Sequence, residues 1–82
     1  MVTVAIYSKS ECCLCDDAKS VLRRVQADEP FDLQEIDIES DPELMRRFGE
    51  QIPVVYVGRR KAFKFRVDEA ELRRKLARER AA

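Results

Sequence analysis

Ser10-Glu11-Cys12-Cys13-Leu14-Cys15-Asp16-Asp17 holds all three cysteines of the 82-residue chain. The apolar, β-branched run Val2-Thr3-Val4-Ala5-Ile6-Tyr7 leads into it, and a helical pattern over Leu14 to Val25 leads out. Cys12 and Cys15 therefore stand two residues apart at a strand-to-helix junction. Thiols so placed are a redox pair first and a metal site second.

The flanks fix the junction. A run apolar at nearly every position, such as Val2 to Tyr7, reads as a strand buried on both faces. Leu14, Ala18, Val21, Leu22 and Val25 recur on one face of a helix, opposite Lys19, Arg23, Arg24 and Gln26. Asp28-Glu29-Pro30 ends that helix, because the residue before proline is pushed out of the α region. Phe31 to Ile38 reads as a strand with one face or end exposed, its alternation broken at Gln34-Glu35. Asp41-Pro42 opens a short helix with Leu44, Met45 and Phe48 on its apolar face and Gly49 as a left-handed stop.

Ile52 to Val57 is the second strong apolar run. Gly58-Arg59-Arg60 supplies a turn, and Lys61 to Val67 alternates basic and apolar residues, so the pair predicts an antiparallel hairpin. Asp68-Glu69-Ala70-Glu71 has the form of a capping box. It opens a last helix that uses Leu72 and Leu76, faces solvent with Arg73, Arg74, Lys75 and Arg78, and frays towards Ala82. The order β-α-β-α-β-β-α predicts an α/β fold, a four-stranded mixed sheet flanked by three helices. The strand–helix–strand units call for parallel pairing, and the hairpin adds antiparallel edge strands.

Length allows a single domain over 1–82, with 45% hydrophobic residues to fill one core. Formal net charge is zero, but residues 1–41 carry four Lys/Arg against ten Asp/Glu, and residues 42–82 carry twelve against six. No overall basic footprint for nucleic acid results, so no nucleic-acid partner is expected. No stretch approaches the roughly 20 apolar residues of a membrane helix. The N-terminus lacks the layout of a signal peptide. The expectation is a soluble cytoplasmic protein, a setting in which a cysteine pair is more often catalytic or metal-binding than structural.

With Tyr7-Ser8-Lys9, the Cys12-Cys13-Leu14-Cys15 motif opening the first helix, and Ile52-Pro53 before the third strand, the chain resembles the thioredoxin-fold superfamily. Within it the chain resembles the small glutaredoxin-like proteins. The resemblance implies a thioredoxin-like fold and a thiol–disulfide oxidoreductase, with Cys12 the nucleophile and Cys15 the resolving thiol. It also implies a cis Ile52-Pro53 bond beside the active site, where the Ile52 backbone would meet an extended substrate. Glutaredoxins usually carry Pro-Tyr where Cys13-Leu14 stands, and a Gly-Gly pair followed by Asp near the last helix. Here Ala62 to Asp68 has no glycine. Asp68 keeps the acidic position, but a poor response to glutathione is expected.

Disulfide exchange needs a thiolate. At a helix N-terminus Cys12 faces unsatisfied N–H groups and the positive end of the dipole, which favour an anion. Lys9 adds a cation, and Glu11, Asp16 and Asp17 oppose it. Cys15 lies one turn on, towards the buried side, suited to attack a mixed disulfide from within. Cys13 reads as a passive substitution, a second reactive thiol or a contact between two molecules. Arg47, just before the Ile-Pro turn, is placed to meet a substrate carboxylate. The hairpin's Arg59, Arg60, Lys61, Lys64 and Arg66 read as a solvated edge.

Expected partners are protein disulfides or glutathione, with a reductase as alternative electron donor, acting on a monomer that binds no cofactor and no membrane. Three thiolates without histidine cannot close a zinc shell within one chain. A dimer sharing an iron–sulfur cluster, which some glutaredoxin relatives form, is the alternative; a redox-inert interaction domain is the third reading.

Overall fold

The computed structural model describes residues 1–81. Its elements are β1 (Thr3–Ser8), α1 (Cys13–Asp28), β2 (Asp32–Asp37), a 3-10 turn (Ile38–Ser40), α2 (Pro42–Phe48), β3 (Val54–Val57), β4 (Arg60–Lys64) and α3 (Glu69–Ala81). The strands form one mixed sheet in the order β2-β1-β3-β4. β1 and β2 run parallel, joined by α1, while β1–β3 and β3–β4 are antiparallel.

The hairpin does not supply two edge strands. β3 lies inside the sheet, and β2 is the second edge. The residues explain the exchange: three of the four residues of β3 are buried, whereas Gln34 and Glu35 of β2 are exposed. An apolar strand gains from neighbours on both sides, and a polar one tolerates an edge. β4, with Arg60, Lys61 and Lys64 exposed, makes the other edge a charged one. Gly58 (φ 62°) adopts the positive φ that the first position of this tight hairpin turn needs.

The core divides across the sheet. On one face Val4, Ile6, Val55 and Val57 pack with Ala18, Leu22 and Val25 of α1 and Leu72 and Leu76 of α3. On the other, Val54 packs with Phe48, Ile38 and Ile52, and Tyr7 and Tyr56 lie against them half-buried. β1 is thus fully covered on one face and partly on the other, where only the short α2, the 3-10 turn and the loop before β3 shield it.

Several local expectations change. The buried stripe of α1 is Cys15, Ala18, Leu22 and Val25, while Leu14 is exposed. By helical geometry Leu14 lies at the edge of that stripe, about 60° from its centre, and in the first turn of α1. Gly49 is right-handed (φ −54°, ψ −30°), extending the last turn of α2 instead of reversing it. β4 stops at Lys64, because Phe65 (φ 70°) leaves the extended region. Asp68 Oδ1 accepts from the Glu71 N–H (3.2 Å), but the Glu71 carboxylate pairs with Arg74, so only half a capping box forms.

Arg73 is not solvent-facing: it bonds Glu29 (2.8 Å), Asp28 (3.0 Å) and Glu69 (3.2 Å). Partly exposed pairs of this kind add little to stability. Fully burying Leu72 or Leu76 contributes about 1.5–3 kcal/mol. The leucines are what hold α3 to the sheet. The helix runs to Ala81 without fraying at Arg78, and Ala82 lies outside the described residues.

Candidate active site

β1 ends at Ser8, and the chain turns through Glu11 (φ 55°) before α1 begins. The turn is anchored from the neighbouring strand. Glu39, in the 3-10 turn after β2, accepts from the Ser10 N–H (2.9 Å) and hydroxyl (2.7 Å). These bonds hold the Glu39 carboxyl below its ordinary range. Parallel pairing of β1 and β2 brings their C-terminal ends together; no local pattern in the sequence marks Glu39 as a support.

Cys12 is the N-cap of α1, in extended backbone (φ −118°, ψ 108°). Its sulfur accepts from the Cys15 N–H at 3.2 Å, and its carbonyl accepts from the Asp16 N–H at 3.1 Å. Sulfur here takes the place of the usual cap oxygen. The N-terminal N–H groups of the helix are thereby aimed at the atom on which a thiolate charge would sit.

The three thiols are free and differ in access: Cys13 is exposed, Cys12 half-buried and Cys15 only 1% exposed. Cys15 is pushed up from 9.0 to about 11 by burial, by its side-chain hydrogen bond with Cys12 and by the Cys12 charge. The Lys9 backbone N–H and the Lys19 ammonium pull the other way. The Lys9 side chain itself is exposed and acts on Glu39. Among the described residues, no three His, Cys, Asp or Glu side chains form a group fit to hold a metal ion.

A linkage prediction follows. Between pH 9 and 11 the unfolded chain has released the Cys15 proton and the folded chain has kept it. Stability from this group therefore falls as pH rises through that window, and nothing is lost below it. The reduced protein is expected to lose more melting temperature across the window than Cys15→Ser. Equal losses would contradict the assignment.

Ile52 lies beside the thiols. Ile52 belongs to the same packed cluster as Cys15, with Cys12, Tyr7 and Tyr56 against it. The Ile52–Pro53 bond is cis, and the Pro53 carbonyl accepts from the Phe65 N–H at 2.9 Å. Arg47 is exposed and stacks over the Phe48 ring (4.9 Å to the centroid), which also packs against Tyr7 (4.7 Å) and Tyr56 (6.3 Å). Arg46, its neighbour in sequence, pairs instead with Glu43. Asp68 stands at the start of α3, occupied as its cap.

Residues 3–77 match the family described as Glutaredoxin-like domain (DUF836). The chain belongs to this glutaredoxin-like family. A relative named glutaredoxin-like protein YDR286C homolog, from Dictyostelium discoideum, is 30% identical over 77 residues, covering 87% of this chain and 71% of the relative. The structure of protein XcR50 from X. campestris is similar at TM-score 0.73 and 25% identity, covering 96% of this chain and 97% of that one. Glutaredoxin from Brucella melitensis matches at TM-score 0.62 and 28% identity, covering 96% of this chain and 82% of its own. The fold is the thioredoxin fold, and the family supports a redox-type function.

One departure of this glutaredoxin-like chain is resolved by geometry. The loop lacking glycine still needs a left-handed residue, and Phe65 supplies it at φ 70°. A bulky residue there is a backbone outlier costing on the order of 1–3 kcal/mol. Its N–H bond to Pro53 ties the β4–α3 loop to the Ile-Pro loop, and the ring is left 42% exposed. The missing glycines point to this loop; nothing in the sequence singles out Phe65 within it.

Proposed function

We propose that the protein is a thiol–disulfide oxidoreductase working through Cys12 and Cys15, reducing protein or small disulfides in a reducing compartment such as the cytoplasm. The observation that carries this is the pairing of a half-buried sulfur at a helix N-terminus with a buried thiol one turn on. The Cys12 thiolate attacks one sulfur of the substrate disulfide. A mixed disulfide forms, and the substrate's other sulfur leaves as a thiolate and takes up a proton. Cys15 then loses its proton and attacks the Cys12 sulfur, releasing the second substrate thiol. Two electrons pass to the substrate, and the protein ends as a Cys12–Cys15 disulfide. No bound cofactor takes part.

Timing is built into the pair. Two of the influences that raise Cys15 come from Cys12, its hydrogen bond and its charge. Both vanish once Cys12 is bonded to substrate, while the Lys9 N–H and Lys19 remain. Cys15 becomes easier to ionise when its attack is due, and the thiolate is the attacking form. Ile52 and Pro53 supply the wall along which an extended substrate would lie, and Arg47 a cation for its carboxylate.

The test offers the oxidised protein glutathione and, separately, thioredoxin reductase with NADPH, with insulin as the disulfide substrate. Insulin reduction is expected with the reductase or with dithiothreitol, and a weak response to glutathione. No reduction with any donor would overturn the reading.

A further inference from the structure

Leu14 and Phe65 are two of the few large apolar side chains left exposed, at 39% and 42%. They line one cleft of about 260 Å³ with Asp17, Ala18, Arg66 and Val67. Leu14 stands between Cys13 and Cys15 in the motif, so this cleft borders the first turn of α1, although no cysteine lines it. Its far wall is held by backbone rather than by packing. Phe65 keeps a left-handed φ, with its N–H on the Pro53 carbonyl at 2.9 Å and the Arg66 N–H on the Lys64 carbonyl at 2.8 Å. The ring is thus preorganised in an exposed position, which spares the cost of ordering it on binding.

Charge points the same way. Among the described residues, Lys19, Arg23, Arg24, Arg46, Arg73, Arg74 and Arg80 all have carboxylate partners. Lys64 and Arg66, on either side of Phe65, are two of the nine Lys and Arg outside such pairs, and the Lys64 ammonium lies 5.8 Å from the Phe65 ring centroid. The single acid of the cleft, Asp17, is on the α1 side. The loop side is therefore an apolar surface framed by free cations.

We infer that this cleft selects a polypeptide disulfide whose reactive cysteine is followed by an apolar residue and then by carboxylates. The inference rests on the thiol–disulfide reading and names its substrate class. The apolar side chain seats between Leu14 and Phe65, and the carboxylates meet Lys64 and Arg66. A cleft below the roughly 300 Å³ lower end of small-molecule sites suits one side chain. Glutathione, γ-Glu-Cys-Gly, has no apolar side chain to fill it.

The test uses two peptides, Gly-Cys-Leu-Glu-Glu and Gly-Cys-Gly-Glu-Glu, each with its cysteine carried as a mixed disulfide to a coloured nitrothiobenzoate group. Pre-reduced protein attacks the peptide sulfur, forms the Cys12–peptide disulfide and releases the coloured thiolate, so no further reductant is needed. The expected half-saturating concentration is about tenfold lower for the Leu/Glu peptide, the scale of one apolar group in a pocket. Phe65→Gly is expected to close most of that gap by raising half-saturation more than it changes the saturating rate. Its melting temperature should be no lower, because glycine adopts φ 70° without strain. Equal half-saturation in the unaltered protein, or a gap that survives Phe65→Gly, would overturn the inference while leaving the exchange chemistry standing. Failure to release thiolate from either peptide or from a small disulfide would remove both.

Discussion

Cys12→Ser reduces disulfides at least about 10³-fold more slowly than the unaltered protein, because a neutral hydroxyl does not replace a thiolate nucleophile. The substitution is clean for a structural reason. Cys12 caps α1 by accepting the Cys15 N–H, and serine is among the best residues at that position. The helix is therefore expected to keep its start, and the melting temperature to stay close to that of the unaltered protein. Insulin reduction with dithiothreitol and a thermal melt measured on the same sample check both halves. A folded Cys12→Ser variant with full activity would remove Cys12 from the chemistry.

Cys15→Ser has the second largest expected effect, and of a different kind. The first attack proceeds, since Cys12 keeps its place and the helix N–H groups keep their aim. The mixed disulfide then has no internal thiol to resolve it, and turnover on protein disulfides falls by about 10²-fold or more. The intact mass should show one substrate thiol bonded to the protein, removable by dithiothreitol. The cost in stability is a polar hydroxyl in a site only 1% exposed, about 1–3 kcal/mol where it finds no partner. A variant that turns over normally and accumulates no adduct would show that another thiol resolves the intermediate.

Local pattern carried much of the fold into view. Val2 to Tyr7, the stripe through Ala18, Leu22 and Val25, and the paired runs around Gly58 all formed the elements their periodicity predicts. The placing of the Cys-x-x-Cys motif at the start of α1 and the burial of Cys15 one turn beyond Cys12 were legible for the same reason, since both depend on residues close in sequence. Strand order was not. Periodicity says which face of a strand is apolar and nothing about its neighbour, so β3 was read as an edge until its pairing with β1 was seen. Leu14 was misplaced because an apolar residue next to the stripe looks like part of it.

The supports of the site were hidden more deeply. Glu39 reaches Ser10 across 29 positions, and Arg73 reaches Glu29 across 44, distances over which no sequence spacing speaks. Phe65 stands where glycine would advertise a left-handed turn, so the backbone geometry is kept while its usual signal is gone. Asp68, expected at a substrate site, also has a local role: its carboxylate accepts from the Glu71 N–H as the α3 cap.

On the proposed chemistry Cys12 and Cys15 exchange electrons as a pair, with Cys13, exposed on the first turn of α1, outside the exchange. Peptide mapping of the protein after one equivalent of disulfide substrate tests it directly, with free thiols alkylated before digestion. The expected result is a Cys12–Cys15 crosslink with alkylated Cys13 and a mass loss of two hydrogens. A crosslink through Cys13, within one chain or between two, or three alkylated thiols after substrate has been reduced, would contradict it.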